Sequence, residues 1–223
     1  MKYQPLNKLY YKNKDLYEQV YQIRLNGQDC TYQIPLKIHG FPAFVVSSLE
    51  VLDLVQNIYH RNNKLTRLYN SLPQGVVQAY IKKVLVEEIL LSNDIEGVYS
   101  TKKELRLILS SPNPKPNLRF SGLVQKYNKI LDKPDIPLEN SLDIRKLYDE
   151  ILLPEIDEKL KPDGNIFRKG AASVYTPTDK ELHKGVTPEE DLIQCMDKAL
   201  AWLANAEAPQ IIRIAAFHYL FGY

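Results

Sequence analysis

The chain has 223 residues, with 29 Lys plus Arg against 27 Asp plus Glu and a formal charge of +2. A count so balanced, and mixed in sign along most of the sequence, argues against a dedicated nucleic-acid binder, and no run of roughly 18 apolar residues is present to cross a bilayer. Cys30 and Cys195 stand far apart and His39, His60, His183 and His218 keep no metal-ligand spacing, so a reduced cytoplasmic protein with neither disulfide scaffold nor zinc site is expected.

Residues 1 to 45 carry Tyr10, Tyr11, Pro35, Gly40 and Pro42 without long periodicity, and predict an extended arm or short strands anchored by Phe41 and Phe44. Ser47 with Glu50 reads as a capping box opening a helix whose face is Leu49, Leu52, Val55 and Tyr59. Ser71 with Gln74 opens the next in the same way. Its buried stripe is Val77, Ile81, Val84, Leu85 and Ile89, and Gly97 stops it. Thr101 with Glu104 forms a third box. SPNPKPN, residues 111–117, is the predicted linker. A helix over Leu123–Leu131 follows, interrupted by Pro134 and Pro137, and Ile144, Leu147, Ile151 and Leu152 mark another.

GNIFRKGAASVYTP breaks the helical pattern and predicts a β-hairpin flap with strands at Ile166–Lys169 and Ser173–Tyr175. Thr187, Pro188 and Glu190 signal a helix start, with an inner stripe of Ile193, Met196, Leu200 and Leu203. Pro209 starts the last helix, where Ile211, Ile212, Ala215, Ala216, Tyr219 and Leu220 keep helical spacing up to the final residues, so the 223 residues are expected to stop inside a domain. The reading is a mainly α fold, a helical bundle with a small hairpin flap, incomplete at the C-terminus. Its blocks are an N-terminal arm and helical region (1–69), a regulatory helix region (70–110), the linker (111–117) and a core region with the flap near 164–176 (118–223).

LSNDIEGVYST (91–101), NIFRKGAASVY, the helix with Trp202 and the closing FHYLFGY occur in an order that resembles the Fic domain family with an N-terminal inhibitory helix, over residues 70–223. The resemblance implies a Fic-like bundle that transfers AMP from ATP to a Ser, Thr or Tyr hydroxyl of a target protein, with ATP and Mg²⁺ in the full-length protein. The family's His-Pro-Phe to Gly-Asn-Gly-Arg loop would begin just past Tyr223, so no catalytic residue is expected among the four histidines, His218 included. These residues alone are expected to be inactive and to hold neither ATP nor Mg²⁺ strongly. The partners implied are a protein target or the chain itself, with self-association allowed and no membrane.

The same resemblance assigns Ser92, Glu96 and Gly97 to the inhibitory motif. Glu96 would pair with an arginine of the loop and occupy the space of the γ-phosphate, a blockade suited to the short bidentate contacts of Arg with carboxylate. Ser92 lies one turn earlier on the same face. Without the resemblance, Glu96 is a solvated carboxylate near a helix end and Ser92 an ordinary helix hydroxyl. The flap (Ile166, Phe167, Arg168, Lys169, Ser173, Val174 and Tyr175) would pair its backbone with the incoming target segment. Trp202 and the aromatics Phe217, Tyr219, Phe221 and Tyr223 are expected to be packing residues, and His183 to face solvent. The alternatives are a protein-binding or regulatory module, and transfer or hydrolysis of another phosphate-linked group.

Overall fold

The computed structural model describes residues 4–27, 30–95, 97–110, 119–132, 137–153 and 156–222, with backbone alone at 129–132 and 160. Among them are nine α-helices and two two-stranded antiparallel sheets, which makes the fold mainly helical with small hairpins. The linker 111–117 lies outside the described residues. No helix among the described residues is long and apolar enough to cross a membrane. The chain divides into two compact units, 1–63 with 170–223, and 64–169.

The first unit opens with two helices where an extended arm was expected: α1 (Leu6–Lys12) and α2 (Lys14–Leu25). Asn13 separates them and caps α2, its side chain accepting from Leu16 N at 3.0 Å. An aromatic series supplies the packing that the sequence pattern hid. Tyr10 meets Tyr17 edge-on at 5.2 Å, Tyr17 stacks on Tyr21 at 6.0 Å, and Tyr21 meets Phe44 at 5.8 Å. Burial raises the Tyr21 phenol pKa, with Tyr17 and Glu18 adding to the effect. The expected strands follow as β1 (Thr31–Ile38) and β2 (Phe41–Val46), joined by His39 and Gly40 at φ 50° and 83°, the positive pair that a two-residue hairpin turn requires. Pro35 falls where the register shifts, between Ile34 and Lys37, and in a two-stranded sheet Pro42 meets no central-strand constraint. Phe44 is an anchor. Phe41 is not, being 62% exposed.

The later part of this unit comprises β3 (Ser173–Tyr175), β4 (Glu181–Lys184), α8 (Glu189–Asn205) and α9 (Gln210–Phe221). α8 has Pro188 at its cap position, one residue past the predicted Thr187, and proline supplies no side-chain cap bond. Trp202 is buried as expected and also donates from Nε1 to Gln33 O at 2.8 Å, which ties α8 to β1. Ile34, Ala43, Ala208 and Ala216 complete that core. Arg213 of α9 donates to the carbonyls of Leu203 and Ala204 at the end of α8, tying the two helices together.

The boundary between the units falls within α3 (Leu49–Ser71). Its cap is Ser48, one residue past the prediction: Oγ accepts from Val51 N at 3.3 Å and donates to Glu50. Ser47 is buried and its hydroxyl has no partner. α3 buries no residue, so Leu49, Leu52 and Tyr59 are exposed and the predicted inner face is not covered. Ser71 closes α3 by bonding back to Leu68 O at 2.8 Å rather than opening α4 (Gln74–Ile95). At the start of α4, Val76 N and Val77 N donate to Pro73 O at 2.9 and 3.2 Å.

In the second unit α4 packs with α5 (Lys102–Ser110) and α6 (Ser121–Asp132) around Leu85, Val86, Ile89, Leu105, Ile108, Phe120 and Val124. The predicted stripe of α4 is right at Val77, Leu85 and Ile89 but not at Val84, which is exposed while Val86 is buried. α5 begins as predicted, Thr101 Oγ1 accepting from Glu104 N at 3.2 Å. α7 (Ser141–Ile151) crosses α6 closely at Gly122, where a Cβ would run into the carbonyl group of Ile151 and come within 3.0 Å of Glu150 O. Lys126 and Glu150 add an ion pair at 2.9 Å.

Candidate functional site

α4 ends where the sequence places the motif. Val98 N donates to Asn93 O at 2.7 Å and Gly97 N to Asp94 O at 3.1 Å, the paired 6→1 and 5→2 bonds of a Schellman stop. Gly97 carries φ 71°, and a Cβ there would meet nothing within 4 Å, so glycine serves this turn by backbone conformation alone. Glu96 lies outside the described residues. Ser92 is exposed one turn before the stop, and its hydroxyl reaches back to Glu88 Oε1 at 3.5 Å. Sequence reading missed Glu88, although its spacing of four from Ser92 on a helix is the signal that finds it.

Two further groups at this turn were not singled out by sequence. Asn93 Nδ2 and Ser100 Oγ are buried and have no hydrogen-bond partner among the described residues. Buried polar atoms are rarely left so, and each one costs about 1–3 kcal/mol while it stays unpaired. On the outer side, Leu91 and Ile95 are exposed, and with Val76, Tyr80 and Val84 they give α4 a second apolar stripe opposite the buried one; Tyr99, past the stop, is exposed as well.

The flap differs from its prediction. Ser173, Val174 and Tyr175 do form a strand, but they pair with β4, in the register Ser173 to Lys184, Val174 to His183 and Tyr175 to Glu181, not with Ile166–Lys169. The turn between them is built on Thr176, whose Oγ1 accepts from Lys180 N at 3.1 Å and Thr178 N at 3.3 Å, while Asp179 takes φ 58°. Residues 166–169 form no strand because their backbone is used elsewhere. Arg145 of α7 donates to Ile166 O at 3.0 Å, Lys169 N donates to Asp163 Oδ1 at 2.9 Å, and Gly164 N to Phe167 O at 3.3 Å. Ile166, Phe167 and Arg168 are half-buried in the second unit. The flap set of seven residues is therefore divided: Ser173, Val174 and Tyr175 stand on an exposed hairpin, and Ile166, Phe167, Arg168 and Lys169 belong to a loop against α7.

His183 is half-buried and its ring meets that of His39 at 5.8 Å and 78°, across the mouth of a cavity of about 360 Å³ that Tyr219 also lines. His218 is exposed in the last turn of α9, where a cation suits the helix dipole. Phe217 and Phe221 meet at 6.1 Å, yet Tyr219 and Phe221 are largely exposed, so the closing aromatics pack only in part; Tyr223 lies outside the described residues. Cys30 and Cys195 are both free thiols. Among the described residues no three His, Cys, Asp or Glu side chains converge as a metal site. No family model, no curated protein and no solved structure matches this chain.

Proposed function

We propose that this chain is the regulatory and front catalytic portion of a cytoplasmic Fic-type protein adenylyltransferase, held in check through Glu96. In that reaction a target hydroxyl oxygen bonds to the α-phosphorus of ATP, the bond to the β-phosphate oxygen breaks, pyrophosphate leaves, and the hydroxyl proton passes to a general base. ATP supplies the adenylyl group and Mg²⁺ neutralises charge on its phosphates. The base, the phosphate cradle and the metal ligand would belong to the loop proposed beyond Tyr223 and not to residues 1–223. Their part is restraint and docking. Glu96 would hold the loop's arginine and fill the γ-phosphate space, Ser92 would hydrogen-bond beside it, and the free edges of β3 and β4 would align the target segment by backbone pairing.

The observation that carries this reading is the turn at Gly97. Ser92, the first residue of the Ser-x-x-x-Glu-Gly motif, is exposed in the last turns of α4, and Gly97, its last, makes the backbone-defined stop, with two buried polar groups beside it that have no partner among the described residues. The test is Glu96→Gly in the polypeptide that carries the loop: ATP-dependent labelling of itself or a target should rise. Equal labelling of both forms at saturating ATP and Mg²⁺ rejects the brake.

A second reading, a protein-binding or regulatory module without transfer chemistry, is favoured by the uncovered apolar residues of α3 and α4, Leu54, Leu65, Tyr80, Leu91 and Ile95 among them. A variant that labels nothing under any nucleotide, while the chain still forms a stable complex through those helices, would select it.

A further inference from the structure

The second unit contains a groove of about 380 Å³ between α4 and α5. Its rim is cationic from both sides, with Lys82 and Lys83 on α4, and Lys102 and Arg106 one turn apart on α5. The floor is apolar, Val86 and Leu109, and Glu87 is the one carboxylate that lines it. All four cations are exposed, and none makes an ion pair or a side-chain hydrogen bond with a described residue. Elsewhere in the same unit Lys126, Arg145, Lys146 and Lys161 are each matched to a carboxylate, while Lys64, Arg67, Lys103 and Lys159 are matched to none among the described residues; the groove differs in bringing four such cations to one concavity. In a chain whose charges nearly cancel, four cations gathered against one carboxylate form a local excess that the fold does not neutralise.

A cavity of this size brings every rim charge within about one Debye length of a bound ligand, ~8 Å at physiological ionic strength, so the four act on it together. We infer that the groove binds a compact polyphosphate, the chemistry shared by inorganic tripolyphosphate and the phosphate chain of a nucleotide. Charge density selects phosphate over carboxylate. A tripolyphosphate concentrates its charge in a few adjoining groups, whereas an extended run of acidic residues spreads it over as much as about 3.3–3.6 Å per residue and reaches beyond the groove. Lysines supply point charges and Arg106 a planar fork, both suited to phosphate oxygens. The inference does not rest on adenylyl transfer, and its test needs no activity.

The experiment is calorimetric titration of the chain with inorganic tripolyphosphate, in about 0.15 M salt so that weak surface attraction is screened. One saturable site is expected. Reversing one cation on each helix, Lys83→Glu with Arg106→Glu, should weaken binding by tenfold or more, since each reversal replaces an attraction by a repulsion. Lys83→Arg alone should retain it within about threefold, the charge being kept. Lys198→Glu, an exposed reversal in the other unit, should change nothing. Far-ultraviolet dichroism confirms that each variant is folded. ATP binding as tightly as tripolyphosphate, or more tightly, identifies a nucleotide's phosphate chain as the source; clearly weaker ATP binding identifies free polyphosphate. The inference is overturned if no saturable binding is seen, if Lys198→Glu weakens binding as much as the double reversal, or if an acidic hexapeptide outcompetes tripolyphosphate.

Discussion

The two units are built in opposite ways. In 64–169 the core comes from neighbouring helices and from large aliphatics, Leu85, Ile89, Leu105, Ile108 and Val124, the first four of which lie in two consecutive helices. In the unit that joins 1–63 to 170–223 the core is Ile34 and Trp202 with three alanines, and it is closed by a hydrogen bond between residues 33 and 202. The first kind of core needs only amphipathic periodicity and short loops, and the second needs distant segments to meet before any of its apolar surface is buried. Small residues there let β1, β2 and α9 approach one another around Ile34 and Trp202.

This contrast can be broken from either side, and the largest effect is expected at its single large anchor. Trp202→Ala should cost about 3–5 kcal/mol by denaturant unfolding, with loss of amide protection concentrated in β1, β2, α8 and α9. Trp202→Phe, which keeps one aromatic ring but loses the second with its N–H and leaves Gln33 O without its donor, should cost less than Trp202→Ala but at least about 1–3 kcal/mol. In the other unit Leu105→Ala, at a fully buried position, should cost about 2–5 kcal/mol, with the loss of protection falling on α4, α5 and α6. Identical protection patterns for Trp202→Ala and Leu105→Ala would show one cooperative unit rather than two.

Smaller effects sharpen the picture inside the second unit. Gly122→Ala should destabilise by about 1–3 kcal/mol because its methyl group meets the rigid backbone of α7. Gly97→Ala, where space is open and only the left-handed backbone objects, should cost about 1–2 kcal/mol and fray the end of α4. Asp143 gives the smallest and the most conditional effect. The Glu139 N–H and the Lys146 ammonium hold its carboxyl below the ordinary 3.8. A depressed folded value means that its contribution is complete above pH 3.8 and is lost as pH falls through the lower folded value. Acid titration of the wild type should therefore show a loss at the start of α7 that Asp143→Asn does not.

The candidate site was legible where it depended on one stretch of chain. Gly97 as a helix stop and Thr101 as the next cap are local chemistry, and both were read from adjacent residues. The flap was legible only in half. Ile166–Lys169 has the composition of a strand, but its backbone groups are taken by Asp163 and Arg145, and β4, with the sequence ELHK, has no β-branched residue to announce it. The cationic groove was not visible because its two sides are some twenty residues apart in sequence and become one surface only when α4 meets α5.

The sequence by itself determined the helical periodicity from α3 to α9, the glycine-ended α4 and the order of short segments on which the adenylyltransferase reading depends. These follow from side-chain spacing and from backbone preferences of single residues, which act over a few positions. Only the tertiary structure decided that Leu6–Lys12 and Lys14–Leu25 are helical, that 1–63 shares a core with 170–223, which face of α4 is covered, and where the positive charges gather. Those outcomes depend on which distant surfaces meet, because burial, hydrogen bonding and charge proximity have their energies only in the assembled fold.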